Sequence, residues 1–393
     1  MSLRIALLTH SVRARGGVVH TLELAEALGA RGHAVTVIAS AEPGERLFRA
    51  VDCPVATIAL PVLAGDLVAQ VRQRIDTLTT ALPALIDAGR FDLLHAQDSL
   101  SGNALATLRA QSRLAAPWLR TVHHLDHFAE PVLNEWQARA WHNADGVACI
   151  SDLWQRHLLA EHGRAAERMH NGVNLARFHP RASPTDDAQC RALGVVEAGR
   201  PVCLLVGGVE ARKNSVRLLH AFARLRRHDP AWAQAQLVVA GGASMLDHRA
   251  ARSAWAQDLQ ALGLAEGPGQ PVLRTGPLPD PMMPVLMRRA AVLAMPSLVE
   301  GFGLVALEAL ACGTPVLVSR RPPFTEHLAG QPHVAWCEPE DVASIAEGLR
   351  TAMALPRPEA PPDVCRAHSW ARSAAAHEAW YARVLQAHAL PTC

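Results

Sequence analysis

Short apolar runs alternate with longer segments of helical periodicity along this chain of 393 residues. Residues 4–8 predict a buried strand, Gly16-Gly17 is expected in a loop, and a helix is expected from there over 18–30. The next strand is expected over 34–39. Further strands are expected near 93–95, 119–122 and 146–150, separated by helices that begin near Ser101 and Leu133.

A second series of the same kind begins at Pro201. A polar, proline-containing stretch over 178–187 separates the two series and is predicted to be a linker. Strand and helix alternation of this kind indicates parallel sheets covered by helices on both faces. The strands of the second series are expected at 202–206, 237–240, 272–273, 291–295, 315–318 and 334–336, with a last helix that ends near Ala389.

Length and charge narrow the class of protein. A chain of 393 residues predicts two domains, and its formal net charge is only +2. Residues 1–178 carry 17 Arg against 17 Asp plus Glu, so no half is strongly basic and we expect no nucleic-acid partner. The sequence shows no secretory leader and no run approaching membrane-spanning length, which favours a cytoplasmic protein.

Cysteine and histidine spacing gives no metal signature. The 8 cysteines are scattered without a C-x-x-C pair, which favours reduced thiols over disulfides or zinc. The 20 histidines form no H-E-x-x-H pattern, and most are interpreted as surface or hydrogen-bonded polar residues.

Two carboxylates stand eight positions apart around a Gly-Phe-Gly loop in residues 294–318. Glu300 follows a predicted strand, and Glu308 lies on an apolar helix over 304–311 that Gly313 ends. Ligands of doubly wound sheets bind at the carboxyl ends of the strands. Gly301 and Gly303 allow a close backbone approach, and the N–H groups at the helix start can receive a phosphate.

The basic residues independently indicate a phosphate-binding position. Of the 38 basic residues, Lys213 is the single lysine, and it lies between the strand over 202–206 and the next helix. A compact ammonium group is a common phosphate ligand at such a position. Genome composition alone explains the arginine bias, so the survival of one lysine by chance is the alternative.

Five candidate groups share one position in the pattern, since each follows a predicted strand: Gly16-Gly17, His123, Lys213, Gly241-Gly242 and Glu300. Carboxyl ends of parallel strands meet at one edge of a sheet. The sequence therefore predicts a single site between two domains.

These motifs resemble the retaining glycosyltransferases of the GT-B fold, specifically glycosyltransferase family 4, over nearly the whole chain. The segment 300–308, E-G-F-G-L-V-A-L-E, is similar to the family's E-x7-E element. The pair Gly16-Gly17 with the helix after it, the T-V-H segment ending at His123, and the turn over 170–174 are similar to the family's other signatures.

The resemblance implies an α/β fold of two Rossmann-like, doubly wound domains facing a cleft. It implies an acceptor-side domain over 1–178, a nucleotide-sugar domain over 195–355, and a C-terminal helix over 364–389 that packs back on the first domain. The implied activity is metal-independent transfer of a sugar, with retention of configuration, from a nucleotide-sugar to an unidentified acceptor. That acceptor is a sugar, a small molecule or a lipid-linked group, and peripheral membrane contact stays open.

The resemblance also implies roles for residues. Glu308 accepts hydrogen bonds from the ribose, Glu300 holds the donor sugar, and Lys213 with Arg212 faces the diphosphate. His123 points at the donor sugar from the other domain. The catalytic candidates are thus Glu300, His123 and Lys213, and the remaining donor contacts are expected from Gly16, Gly17, Gly241, Leu278, Gly301, Phe302, Gly303, Leu304 and Val305.

The chain departs from the family pattern at the diphosphate contacts, and its turn over 171–174 also ends in Asn rather than Asp. The family usually has an arginine five or six residues before the lysine, whereas Gly207 and Gly208 stand here. Either Arg212 replaces that arginine or diphosphate binding is weaker. Because no D-x-D sequence occurs, we expect neither a metal ion nor another cofactor.

Two other functions stay open. The first is a GT-B-fold nucleotide-sugar epimerase, which needs acid and base groups that the E-x7-E element does not obviously supply. The second is a non-catalytic sugar-nucleotide-binding protein, which the missing arginine makes conceivable.

Overall fold

The computed structural model describes residues 2–242 and 248–389. The chain forms two compact units. The N-terminal unit runs up to Gly172 and takes in the segment from His368 onward, and the C-terminal unit is Val173–Ala367. The boundary thus precedes the segment 178–187, where the sequence placed the linker.

The N-terminal unit contains a parallel sheet of seven strands between helices. The strand order is β3-β2-β1-β4-β5-β6-β7, so the chain order reverses between β1 and β4. Its elements are β1 (Arg4–Thr9), α1 (Gly16–Gly29), β2 (Ala34–Ala41), β3 (Val55–Ala59), α2 (Leu67–Gly89), β4 (Leu93–Ala96), α3 (Ser99–Ala110), β5 (Trp118–Val122), α4 (Pro131–His142), β6 (Gly146–Cys149), α5 (Asp152–His162) and β7 (Glu167–Arg168).

The glycine pair lies inside a helix, so the prediction of a loop there is wrong. Helix α1 begins at Gly16, and Val19 donates its N–H to the carbonyl of the extended residue Arg15 at 2.8 Å. First-turn residues have no intrahelical acceptor for their N–H groups and lose little from a flexible residue, so glycine is tolerated there.

No strand was predicted from the sequence over residues 42–65, yet this segment contains strand β3. This strand, V-A-T-I-A, lies at the edge of the sheet, and only Ile58 of its five residues is buried. Helix α2 follows, with the Asp66 side chain accepting from the N–H of Ala69. Four of the five residues of β3 are apolar, so the strand lacks the alternation that marks a half-buried strand, and for this reason β3 was missed.

The C-terminal unit contains a second parallel sheet of six strands. Its order is β10-β9-β8-β11-β12-β13, and the chain order reverses between β8 and β11. Its elements are α6 (Asp186–Ala192), β8 (Val202–Val206), α7 (Ser215–His228), a 3-10 turn (Pro230–Trp232), β9 (Gln236–Ala240), α8 (Arg249–Ala261), β10 (Val272–Gly276), α9 (Met282–Arg289), β11 (Val292–Met295), α10 (Leu304–Ala311), β12 (Val316–Ser319), α11 (Phe324–His327), β13 (Val334–Cys337), α12 (Val342–Ala354) and α13 (Asp363–Ala367).

Each unit has its own hydrophobic core. In the C-terminal unit, Phe222 of α7 and Trp232 are fully buried within one cluster with residues of the central strands. The core of the N-terminal unit includes Trp380 and Tyr381 of the last helix, α14 (Trp370–Ala389), which contacts α1. No helix in the described ranges is long and apolar enough to cross a bilayer.

Candidate functional site

In the C-terminal unit the two most distinctive residues of the sequence come together at the edge where ligands bind. Lys213 lies in the loop after β8, and Glu300 lies in the loop after β11. These are the neighbouring strands between which the order of the sheet reverses. Doubly wound sheets bind their ligands in the crevice at this switch point.

Lys213 and Glu300 form a close ion pair. The Nζ of Lys213 lies 2.7 Å from Oε2 of Glu300, and both side chains are largely buried, with 10% and 12% exposure. Arg212 approaches the other oxygen, with one guanidinium nitrogen 3.4 Å from Oε1. The hydroxyl of Ser297 and the N–H of Gly301 complete the contacts of the carboxylate, both at 3.3 Å.

This surrounding sets the charge of Glu300. Burial alone would raise its pKa, but the positive charges of Lys213 and Arg212, with the hydrogen bonds from Lys213 and Gly301, lower the pKa to about 2. The carboxylate is therefore ionised at every pH near neutrality.

The two loops that carry the ion pair are tied to each other through backbone contacts. Leu298 donates its N–H to the carbonyl of Arg212 at 2.9 Å. Asn214, in the left-handed conformation with φ 59°, donates to the carbonyls of Pro296 at 2.9 Å and Pro339 at 2.6 Å. The relative position of the lysine and the carboxylate is thus fixed by one backbone hydrogen bond and by the side-chain amide of Asn214, and not only by the ion pair.

Gly207 lies close to Lys213, and Gly241 lies close to Gly207. A methyl group added at Gly207 would lie 3.6 Å from the Cγ and Cε atoms of Lys213, and one added at Gly241 would lie 3.4 Å from the Gly207 backbone. Both glycines have positive φ, 123° and 120°, so larger residues are strained there in any case. Leu278, in the loop after β10, is half-buried.

The Gly-Phe-Gly loop packs against the rings of His327 and Phe324. The ring of Phe302 stacks on His327 with centroids 4.6 Å apart and an interplanar angle of 5°. Gly303 has φ 87°, and a methyl group there would lie 2.4 Å from the Phe324 ring. Helix α10 begins directly after it, at Leu304, so the N–H groups of its first turn stand at the end of this loop.

Glu308 lies one turn into α10 and is only 8% exposed. The N-cap residue of the helix is Gly303, and its C-cap is Cys312, followed by Gly313 with φ 79°. A carboxylate buried on an otherwise apolar helix fits a hydroxyl-binding role.

The candidates of the N-terminal unit gather around His123, in the loop after β5. The Nε2–H of His123 donates to Oε1 of Gln97 at 3.1 Å, and its ring lies 4.6 Å from that of His20. A methyl group on Gly17 would contact the His123 ring at 3.5 Å, whereas one on Gly16 would meet nothing within 4 Å. Burial, followed by the nearby His20 and Arg120, holds the pKa of His123 well below its usual value, so the ring is neutral.

Two polar residues of these sites were missed from the sequence. Gln97 follows β4, and Glu210 follows β8 in the same loop as Lys213. The rule that selected His123, a polar residue just beyond a strand at the binding edge, selects both of them when it is applied to every strand. The buried histidines around His123, which are His20, His95 and His377, come from distant segments and have no common spacing.

The fold and the site define a two-unit α/β protein with a polar binding edge on each sheet, charged in the C-terminal unit and centred on a neutral histidine in the N-terminal unit. Residues 14–177 match the family model described as Glycosyltransferase Family 4, and residues 192–364 match the model described as Glycosyl transferases group 1. A D-inositol 3-phosphate glycosyltransferase of Thermomonospora curvata is 30% identical over 77% of this chain and 74% of its own length. The chain belongs to this glycosyltransferase family.

Other relatives match over a shorter range. The D-inositol 3-phosphate glycosyltransferase of Salinispora arenicola is 34% identical over 59% of this chain and 54% of its own length. The chain thus spans about half the length of this and several other curated relatives that it matches.

Solved structures share the fold. Sucrose-phosphate synthase from Thermosynechococcus elongatus has a TM-score of 0.79 at 22% identity, covering 98% of this chain and 99% of its own. Anabaena HepE in complex with UDP and glucose has a TM-score of 0.67 at 19% identity, covering 98% of each chain. The prediction of two Rossmann-like, doubly wound domains of the GT-B class is confirmed.

Proposed function

We propose that this protein transfers a sugar from a nucleotide-sugar donor to a hydroxyl group of an acceptor, with retention of the anomeric configuration and without a metal ion. The observation that carries the proposal is the Lys213–Glu300 ion pair at the switch point of the C-terminal sheet in a member of this family.

The donor is bound by the C-terminal unit. Lys213 and Arg212 neutralise the diphosphate, and Glu308 accepts hydrogen bonds from the ribose hydroxyls. The first N–H groups of α10, at Leu304 and Val305, add a favourable dipole for the anionic group. Glu300 holds the donor sugar. Cations fixed beside the leaving diphosphate stabilise the charge that grows there as the bond to the sugar breaks.

The acceptor hydroxyl attacks from the face that the departing diphosphate leaves. A double displacement through a glycosyl-enzyme needs a carboxylate nucleophile beside the anomeric carbon. Glu300 is assigned to the hydroxyls of the donor sugar and not to its anomeric carbon, so we favour same-face attack within a short-lived ion pair. His123, neutral and donating through Nε2 to Gln97, contributes from the N-terminal unit as a hydrogen-bonding group toward the sugar.

The acceptor belongs to the class of sugars and cyclitol phosphates. D-inositol 3-phosphate is the first compound to test, because several relatives carry that substrate in their names. Contacts to the acceptor fall to the N-terminal unit, whose glycine pair and His123 lie at the binding edge of its own sheet.

Incubation with radiolabelled UDP-, GDP- and ADP-sugars tests the proposal and separates it from its rivals. Transfer of label to D-inositol 3-phosphate or another hydroxyl acceptor is the expected result. An altered free sugar nucleotide identifies an epimerase, and tight binding without turnover identifies a binding protein. A thermal-shift screen with UDP, GDP and ADP shows the base first, because a bound nucleotide stabilises the folded state.

A further inference from the structure

The carboxylate of Glu300 has no free capacity for a sugar as it stands. Its two oxygens offer about four acceptor positions. Oε2 accepts from Lys213 at 2.7 Å and from Ser297 at 3.3 Å. Oε1 accepts from Arg212 at 3.4 Å and from the N–H of Gly301 at 3.3 Å. Sugar hydroxyls can therefore bind Glu300 only when some of these donors leave.

The cations are already paired with carboxylates. Among the described residues, the ammonium of Lys213 makes one hydrogen bond, to Glu300. Arg212 lies between Glu300 at 3.4 Å and Glu210 at 3.5 Å. Two positive and two negative side chains thus sum to zero charge, and an incoming diphosphate does not meet an open pair of cations.

We propose that Glu300 and the donor diphosphate compete for Lys213 and Arg212, so that donor binding exchanges one set of ion pairs for another. The inference rests on the proposed function of this site. When the diphosphate takes the two cations, Glu300 is released to accept the sugar hydroxyls, and without donor it occupies the cations itself.

The exchange makes the affinity for the nucleoside diphosphate depend on the sugar that is attached to it. A nucleoside diphosphate that carries no sugar displaces Glu300 but gives its carboxylate nothing in return, and leaving a largely buried charge without partners is unfavourable. An intact sugar nucleotide supplies the missing hydroxyl donors. The site therefore favours the substrate over the nucleoside diphosphate product, which eases product release.

Glu300→Gln gives the sharpest test, because it keeps the shape of the side chain and removes its charge. Isothermal titration of the wild type and the variant with UDP, GDP and ADP should show that the variant binds the preferred nucleotide about 10-fold more tightly. Any variant that merely damaged the donor site would bind more weakly. Unchanged or weaker binding of the nucleotide by the folded variant would overturn the exchange.

Two controls isolate the cause. Glu347→Gln makes the same change of charge at a side chain that is 64% exposed and pairs with Arg350, and it should leave the affinity within about twofold. In a Lys213→Met background, Glu300→Gln should lose most of its gain in nucleotide affinity, because that gain comes from freeing the lysine. A gain that persists without the lysine contradicts the competition.

If Glu300→Gln does not fold, a crystal structure of the wild type with the same nucleotide tests the exchange instead. The exchange predicts that the Nζ of Lys213 contacts phosphate oxygens and that its distance to Glu300 exceeds 4 Å. Retention of the 2.7 Å contact with nucleotide bound would refute it.

If neither the wild type nor Glu300→Gln binds any of the three nucleotides, the donor site is wrongly assigned and both proposals fall. Tighter binding by the variant without sugar transfer by the wild type supports the exchange and contradicts the proposed activity.

Discussion

Lys213 is held at its charged end by Glu300. Taken as a whole residue it is only 8% exposed, in a chain whose other basic residues are all arginine. A buried ammonium with one carboxylate partner is a specific arrangement, because a guanidinium is broader and planar and needs more acceptors.

Lys213→Arg should therefore not restore what Lys213→Ala loses. Loss of the ammonium should lower kcat by about 2 to 4 kcal/mol of transition-state stabilisation, and the arginine variant should recover little of this. Steady-state kinetics with the identified donor measures both variants. A fully active arginine variant would mean that the single lysine reflects composition alone.

Substitution of Glu308 tests the proposed contact with the ribose. Glu308→Gln removes a charged acceptor while preserving shape, so nucleotide affinity should fall by about 1.5 to 3 kcal/mol, roughly 10- to 150-fold. Calorimetry with the preferred nucleoside diphosphate provides the measurement, with Glu347→Gln as the exposed control. Unchanged affinity in a folded variant would remove Glu308 from the site.

At the scale of elements, the loop before α10 depends on one backbone conformation. Gly303 and Gly330 both have positive φ, 87° and 74°, but only at Gly303 would a methyl group collide with a ring, that of Phe324. The two glycines therefore separate the effect of backbone strain from the effect of packing.

Gly303→Ala should lower the free energy of unfolding by about 1 to 3 kcal/mol more than Gly330→Ala, which bears a left-handed strain of only about 1 to 2 kcal/mol. Urea unfolding of both variants measures this difference. Since the loop holds Glu300, Gly303→Ala should also reduce donor affinity, and Gly330→Ala should not. Equal effects of the two substitutions would show that the packing behind the loop is unimportant.

Helix α14 joins the N-terminal unit through a group of buried histidines. The ring of His377 on this helix lies 6.0 Å from the ring of His20 and 5.8 Å from the ring of His95. Nδ1 of His95 is hydrogen-bonded to the hydroxyl of Tyr381 at 2.7 Å. Burial lowers the pKa of His377 to about 4, and burial with the nearby His377 lowers the pKa of His20 to about 3.

These shifts predict acid sensitivity. Between the ordinary histidine pKa of about 6.5 and the folded-state pKa of about 4, the unfolded chain binds a proton at His377 that the folded chain does not. Stability therefore falls as the pH falls through this window, with a slope of up to about 1.4 kcal/mol per pH unit for each such histidine. Urea unfolding at pH 7, 6 and 5 should show this loss.

His377→Gln should make that pH dependence shallower, whatever it does to stability at pH 7. His388→Gln, on the same helix but exposed to solvent in the folded state, is the matched control and should leave the slope unchanged. An identical slope in His377→Gln and the wild type would contradict a role for the buried histidines.

The sequence predicted most central strands because those strands are continuous apolar runs that both faces of the sheet bury. It missed β3 and α5, which bury only one and two of their residues. Positions beyond the strands located Lys213, Glu300 and His123. Their mutual contacts could not be predicted, because the Lys213–Glu300 pair joins loops 87 residues apart and depends on the order of the strands.

At the scale of the whole molecule, each sheet ends in a polar site of different character. The C-terminal unit presents paired cations and carboxylates, which suits an anionic donor, and the N-terminal unit presents a neutral histidine, which suits hydroxyl groups. The described residues contain no group of three or more His, Cys, Asp or Glu arranged to hold a metal ion. That the two sites act together on one donor and one acceptor stays a prediction.

In the proposed mechanism, Lys213, Arg212 and the start of α10 neutralise the charge of the diphosphate. Transfer should therefore proceed at an unchanged rate in excess EDTA. Loss of activity in EDTA that magnesium or manganese restores would show that a divalent ion neutralises the diphosphate instead.

Proton NMR of the first product formed from an α-linked sugar nucleotide tests the central claim most directly. The reaction contains the protein, the donor chosen by the nucleotide screen and D-inositol 3-phosphate, with other hydroxyl acceptors in parallel. The account predicts a new anomeric signal with the small coupling constant of an α-glycoside, formed at the rate at which nucleoside diphosphate appears. A β-linked first product, or no glycoside from any of the UDP-, GDP- and ADP-sugars, would contradict it.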